Sequence, residues 1–378
     1  MYIVKGSYAD KILIALCLSG EFAYRYIDML DENKQMLQRN ARKLNKEGYI
    51  SITGKGSDRT MRLRQKGKDF VNERYPALYQ HYLMMSDGGI IRTGKSNQSI
   101  LWRSHRLAEA LLILQNAGVY FLEGHKPEIY NESIDDAVYL PENTGFFYSS
   151  KEMKGVDEVA KLKVAFTRIL GMLSTNTKHY AIYNTNEGLI LWNNQGENKA
   201  KKMMEDIINK SFYSDKRVYV SEAILFGRSM EVAMKVLKSR KGKKDSKGFE
   251  FLSFDNTFPN MYFLTLDDFG MLQVQLLMLD GWEDKLRNLL FTKQEVENKD
   301  TKFDSDAFNE EEGVVKIEFI SGNIGKLKRA VMAYNFNRSY TFKVYALQHQ
   351  AGFLKDYLPE EFAIEVVNPG EIYSELLK

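Results

Sequence analysis

Within the first seventy residues the apolar positions change period, and each change marks out an element. Ile12, Leu13, Leu16 and Cys17 fall three and four apart, the spacing of one buried helical stripe, with Asp10 placed to cap its start and Gly20 to end it. A short helix is predicted around Tyr24–Leu30. Asn33 stands where it caps a third helix whose inward positions are Met36, Leu37, Ala41 and Leu44, and Gly48 stops that helix. Period two takes over in Tyr49-Ile50-Ser51-Ile52-Thr53 and Arg59-Thr60-Met61-Arg62-Leu63-Arg64. The turn Gly54-Lys55-Gly56-Ser57-Asp58 lies between them, so a two-stranded hairpin is predicted. Three helices followed by a hairpin read as a winged helix-turn-helix, and residues 1–85 are assigned to it.

Beyond the hairpin, Lys68–Met85 continues as helix with a break at Pro76, and Ser86–Gln98 has the Gly/Ser/Asn composition of a loop. An amphipathic helix over roughly Ser99–Ala117 carries Ile100, Leu101, Leu107, Ala108, Leu111, Leu112 and Leu114. It either packs on the winged helix or opens a second domain, so 86–144 is read as a helical connector. Strands are predicted at Phe146-Phe147-Tyr148, Arg168–Leu173, His179–Tyr183, Leu189–Trp192, Val218–Phe226, Phe249–Phe254 and Met261–Leu266, and helices at Glu197–Ile208 and Ser229–Leu237. The apolar run Leu272–Leu279 stays open between helix and strand. Glu295–Glu312 is acidic without apolar periodicity and reads as a mobile linker or surface insertion. After it, strand Val314–Ile320, helix Asn323–Tyr334, strand Phe342–Leu347, helix Gln350–Tyr357 and strand Phe362–Val367 alternate as parallel βαβαβ units do. The expected fold class is therefore α/β, α+β overall. An N-terminal winged helix-turn-helix precedes a mixed α/β domain over 145–378.

Charge sharpens the reading of the N-terminal segment. Between Asn33 and Lys68 eleven lysines and arginines face only Glu47 and Asp58, a local net of +9 in a chain whose total is +3. Segregated positive charge beside a groove-sized helix is what phosphate neutralisation requires. The outward side of the third helix is Lys34, Gln35, Gln38, Arg39, Arg42, Lys43 and Lys46. Of these Gln35, Gln38, Arg39 and Arg42 are placed for base edges, where Gln suits adenine and Arg guanine. Lys55, Arg59, Arg62 and Arg64 of the hairpin complete the DNA-binding set, with Lys55, Arg59 and Arg62 on phosphates. A winged helix used for protein contacts is the bland alternative.

At 378 residues, 44% apolar and 12% aromatic, the chain is long enough for two or three packed domains. Met1–Gly6 has no cleavable apolar stretch and no apolar run reaches the roughly 20 residues of a membrane span, so cytoplasmic residence without a membrane partner is expected. One cysteine, Cys17, rules out a disulfide within the chain and a thiolate zinc site. His81, His105, His125, His179 and His349 form no metal-binding spacing, and no cofactor is expected.

Several motifs carry possible chemistry. Gly89-Ile90-Ile91-Arg92-Thr93-Gly94-Lys95-Ser96 matches the phosphate-loop spacing, with Gly94, Lys95 and Ser96 as the binding residues and Asp280 as a distant metal aspartate. The residues before it read as the end of a helix, whereas the motif works between a buried strand and a helix. Asp135 and Asp136, with Glu152 and Lys154 after a strand, have the residue types of a Mg²⁺-dependent restriction-type nuclease; solvated loop carboxylates are the alternative. Ser321-Gly322-Asn323-Ile324-Gly325 joins a strand to a helix and reads as turn chemistry before an anion site. Lys238, Arg240, Lys241, Lys243, Lys244 and Lys247 form a second basic run, a solvated loop or a supporting backbone contact. No Gly-x-Ser-x-Gly elbow occurs.

Asp10-Lys11-Ile12-Leu13-Ile14-Ala15-Leu16, Leu44-Asn45-Lys46-Glu47-Gly48-Tyr49-Ile50 and Arg62-Leu63-Arg64-Gln65-Lys66-Gly67 together resemble the winged-helix start of replication-relaxation proteins. These are encoded on plasmids and integrative conjugative elements of Gram-positive bacteria. Ser104-His105-Arg106-Leu107-Ala108-Glu109 with Asn116-Ala117-Gly118-Val119, and Phe147-Tyr148-Ser149-Ser150-Lys151-Glu152-Met153-Lys154 with Tyr183-Asn184-Thr185, are similar to segments of such proteins. The resemblance spans most of the chain. It implies a double-stranded DNA-binding accessory of plasmid replication or conjugative transfer, with other replication or transfer proteins as partners and a carboxy-terminal domain related to nuclease-like α/β folds. A complete acidic constellation is not found, which departs from a working nuclease.

Overall fold

Ser7, three residues before the expected cap, starts the first helix. In α1 (Tyr8–Ser19) the Ser7 hydroxyl accepts from the Asp10 N–H at 3.4 Å, and the Asp10 carboxylate accepts from Gly6 N–H at 2.8 Å and from the Tyr75 hydroxyl at 2.7 Å. A hydroxyl and a carboxylate three apart satisfy two free N–H groups, so the pair displaces a cap by Asp10 alone. Gly20, at φ +71°, ends α1 with its N–H on Leu16 O.

The computed structural model of the chain describes residues 2–30, 33–85, 98–129, 137–155, 167–189, 191–213, 216–239, 250–251, 257–299, 303–336 and 338–377. It divides into two compact units, 1–116 with 120–126, and 117–119 with 127–378.

In the first unit α1 is buried on nearly every side, with Ile12, Leu13, Leu16 and Cys17 fully enclosed. α2 (Lys34–Lys46), α4 (Pro76–Met85) and α5 (Gln98–Asn116) pack around it. Pro76 separates α3 (Gln65–Arg74) from α4 as its sequence position predicts, because the first helical position needs no N–H. Three short antiparallel strands, β1 (Phe22–Ala23), β2 (Ile50–Thr53) and β3 (Thr60–Leu63), lie in the order β1-β3-β2, with Ile50 opposite Leu63 and Thr53 opposite Thr60. Tyr24–Leu30 is a 3-10 segment. α5 belongs to this unit, as do residues 120–126, and it buries Ala108, Leu111, Leu112 and Leu114.

The second unit is mixed α/β. Its first sheet has the order β10-β8-β6-β5-β4. β4 (Phe146–Ser149), β5 (Gly171–Ser174) and β6 (His179–Asn186) form an antiparallel meander, and β8 (Glu222–Gly227) and β10 (Asn260–Thr265) continue parallel to β6. α6 (Ser150–Gly155) follows β4, α7 (Asn194–Ser211) connects β6 to β8, and α8 (Met230–Leu237) follows β8. β7 (Leu191–Trp192) and β9 (Glu250–Phe251) pair separately. α9 (Asp268–Met278), α10 (Trp282–Leu290) and α11 (Lys293–Glu297) come after β10. The second sheet has β11 (Ala307–Asn309) antiparallel to β12 (Val314–Glu318), then β13 (Thr341–Leu347) and β14 (Phe362–Val367) in parallel. α12 (Ile324–Phe336) and α13 (Gln348–Tyr357) make the crossovers, and α14 (Pro369–Leu376) follows. This is the predicted βαβαβ arrangement. One apolar core runs from Phe146 and Tyr148 through Phe263 to Phe319, Phe342 and Phe353.

One segment settles an open reading and another differs from expectation. The open run 272–279 lies almost wholly within α9, because the Asp267 carboxylate accepts from Phe269 and Gly270 N–H and fixes the first turn of that helix. The acidic stretch 295–312 holds the end of α11 and the strand β11. Glu295 caps its helix with Thr292 and pairs with Lys316, while Asp306 pairs with Lys326 at 2.7 Å. These carboxylates are organised by cations from β12 and α12, an ordering that leaves no apolar period to read.

Candidate nucleic-acid interface

α2 begins at Asn33, whose side chain accepts from Met36 N–H at 3.1 Å as the sequence predicts, and buries Leu37, Ala41 and Leu44. Burying those three leaves Lys34, Gln35, Arg39, Arg42, Lys43 and Lys46 on the open side, with Gln38 half-buried. At 1.5 Å per residue the thirteen-residue helix is about 20 Å long. It contains no carboxylate. Lys34 lies 3.7 Å from Asp28; Arg39, Arg42, Lys43 and Lys46 make no ion pair among the described residues.

The hairpin follows with its own constraints. Gly54 has φ +81°, and a Cβ there meets the Asp58 carbonyl oxygen at 2.4 Å, so the turn closes too tightly for any side chain. Lys55 projects from this turn and is exposed, as is Arg64 at the far end of the hairpin. Arg59 is half-buried with its guanidinium 4.1 Å from the centre of the Tyr24 ring.

Arg62 has a different employment. Its Nε donates to Glu21 Oε1 at 2.9 Å, and Glu21 is buried. The Thr60 hydroxyl donates to the same oxygen at 2.7 Å and lies 3.2 Å from His105 Nε2 on α5. Because the one Thr60 proton goes to Glu21, the histidine contact requires Nε2–H as donor. Burial, with Arg25 and Arg62 nearby, pushes the His105 imidazole down to about 4, so it stays neutral. Arg62 is thus an internal tie between β3 and the Gly20–Phe22 corner. Sequence reasoning missed Glu21, Thr60 and His105; a lone carboxylate between Gly20 and Phe22 is the trace they leave.

The other candidate sites fare differently. Gly94, Lys95 and Ser96, with the rest of the phosphate-loop match, and Asp135 and Asp136 lie outside the described residues. Glu152 accepts from Ser149 N–H at 2.6 Å while Ser149 Oγ accepts from Glu152 N–H at 3.3 Å, a reciprocal cap that starts α6; Lys154 lies in the last turn of the same helix. Asp280 accepts from Asn176 and Thr177 side chains and ties a loop. Around Ser321 the turn reading holds: Ser321 N–H and Oγ donate to Glu318, and Asn323 accepts from Lys326 N–H. Most of the second basic run, 240–247, lies outside the described residues. Among the described residues no three His, Cys, Asp or Glu side chains gather as metal ligands, and no helix is long and apolar enough to cross a membrane. No protein-family model matches the chain, and no curated protein or solved structure does either.

Proposed function

We propose that the first unit is a winged helix-turn-helix that binds double-stranded DNA, with α2 as the reading helix and the β2–β3 hairpin as the wing. The observation that carries the reading is the outward face of α2, where cations and two glutamines stand over about 20 Å without one acid. A major groove admits a helix of this width, and exposed arginines and glutamines are the side chains that read base edges there. Lys55 and Arg64 are the hairpin cations left to reach phosphates, with Arg59 held over Tyr24. The cellular role proposed with it, an accessory or regulatory factor of plasmid replication or conjugative transfer, rests on the resemblance of the segments named above.

Titration of labelled duplexes with the full chain tests the reading. Arg39→Ala with Arg42→Ala is expected to weaken specific binding by about 1–3 kcal/mol for each base no longer read. Lys55→Ala is expected to weaken all duplexes alike and to flatten the dependence on salt. Normal binding by both variants removes α2 and the hairpin as the interface. Intact duplex recovered with Mg²⁺ present accords with binding alone, and a nicked product contradicts it.

A further inference from the structure

We propose that the second unit carries a separate platform for single-stranded DNA, built from Tyr139, Tyr213 and Tyr219 beside the cationic face of α7. Along α7 the exposed positions are Gln195, Lys199, Lys202, Asp206 and Lys210, one stripe at helical spacing. The chain returns along that helix. Asn209 bonds through its side chain to both Val218 O, at 2.9 Å, and Val218 N–H, at 2.7 Å, and Glu205 Oε1 accepts from Val220 N–H at 3.0 Å. Tyr219 is thereby held level with residues 205–209, with its ring 69% exposed and the Arg217 guanidinium 5.8 Å from its centre. Lys199, Lys202, Arg217 and Tyr219, with Glu205 and Asp206, line an open cleft of about 450 Å³.

At the C-terminal end of the same helix a short backbone bridge fixes two more rings. Val138 N–H donates to Ser211 O and Tyr213 N–H to Val138 O, each at 3.0 Å. The Tyr139 and Tyr213 rings then lie 4.2 Å apart, tilted by 34°, although they are 67% and 49% exposed. Tyr213 lies two residues past Ser211, the last residue of α7, whereas Tyr219 is level with residues 205–209.

Open aromatic faces in line with cations match the two surfaces of an unpaired strand, bases and phosphates. A duplex keeps its base faces stacked inside and offers nothing to these tyrosines. A protein partner suits the patch less well, because Lys199, Lys202 and Arg217 line the cleft with Tyr219. The carboxylates do not outweigh the cations: Glu205 accepts from Val220 N–H, and among the described residues Lys199, Lys202, Lys210, Lys216 and Arg217 outnumber Glu205 and Asp206. That the strand is DNA rests on the duplex reading of α2, and the test separates the two.

The full chain is titrated at low salt with a fluorescein-labelled oligothymidylate, and anisotropy is read. Binding by the wild type is expected, with affinity reduced roughly tenfold or more in Tyr139→Ala/Tyr213→Ala and again in Tyr219→Ala. Phenylalanine at the same positions keeps the stacking face and is expected to keep the affinity. Arg39→Ala/Arg42→Ala is expected to bind the oligothymidylate as the wild type does, while the tyrosine variants bind duplex normally. No wild-type binding, equal binding by the alanine variants, or loss of single-strand binding in the α2 variant overturns the platform. Tighter binding of oligouridylate RNA overturns the assignment to DNA. Failure of duplex binding alone counts against α2 and leaves the platform standing.

Discussion

Single residues show where local chemistry overrides position. Arg62 alternates outward in the hairpin and is grouped by sequence with the DNA-facing cations, yet its partner is the buried Glu21, which immediately precedes β1, the strand paired with β3. Removing it leaves a buried carboxylate with Thr60 as its hydroxyl donor, so Arg62→Ala is expected to lower stability by about 2–4 kcal/mol. Adding Glu21→Gln to that variant restores part of the loss, which denaturant unfolding measures. A result in which Arg62→Ala unfolds like the wild type and loses only DNA affinity assigns the side chain to the interface instead. The tie was not legible because its two ends are forty-one positions apart and neither sits in a recognisable spacing. Cys17 was legible: it sits on the apolar stripe of α1, is fully enclosed, and burial pushes its thiol up to about 12.

Among elements, helices with strong periodicity or a clear cap were readable and short pieces were not. Leu37, Ala41 and Leu44 fix which side of α2 faces inward, so the outward set Lys34, Gln35, Arg39 and Arg42 followed from spacing alone. Predicted strands at 168–173 and 218–226 are shorter in the structure, as Gly171–Ser174 and Glu222–Gly227, and Val220 shows why: it is buried, but its N–H goes to the Glu205 side chain and not to a neighbouring strand. The hairpin turn was read from Gly54 and Gly56, and the two glycines make different demands. Gly54→Ala sets a Cβ against the Asp58 carbonyl and is expected to cost about 1–3 kcal/mol. Gly56→Ala, also at positive φ but with open space around it, is expected to cost less. Equal unfolding free energies for the two variants contradict this account of the turn.

For the molecule as a whole, acid is the condition that reaches both units. Burial holds His179 of the second unit at about 4, as it holds His105 of the first, against a free value of 6.5. The unfolded chain therefore takes up these protons first as pH falls. Stability is complete above pH 6.5 and is lost between 6.5 and about 4, by about 3 kcal/mol for each histidine at most. His179→Phe keeps a ring against Phe212 and is expected to remove its share of that slope in denaturant titrations run across the same window. An unchanged slope assigns the acid sensitivity to carboxylates. The allegiance of α5 to the first unit was not readable, because its apolar stripe fits either neighbour.

The parallel strands carry a consequence for the order of events during synthesis. The hairpin of the first unit closes between positions 50 and 63, but β6 meets β8 and β8 meets β10 across separations of about forty residues each. Closing those long loops precedes any reward from pairing, so sheets of this kind assemble slowly. A ribosome releases the basic N-terminal portion first, so its hairpin is free to close while the parallel strands are still emerging.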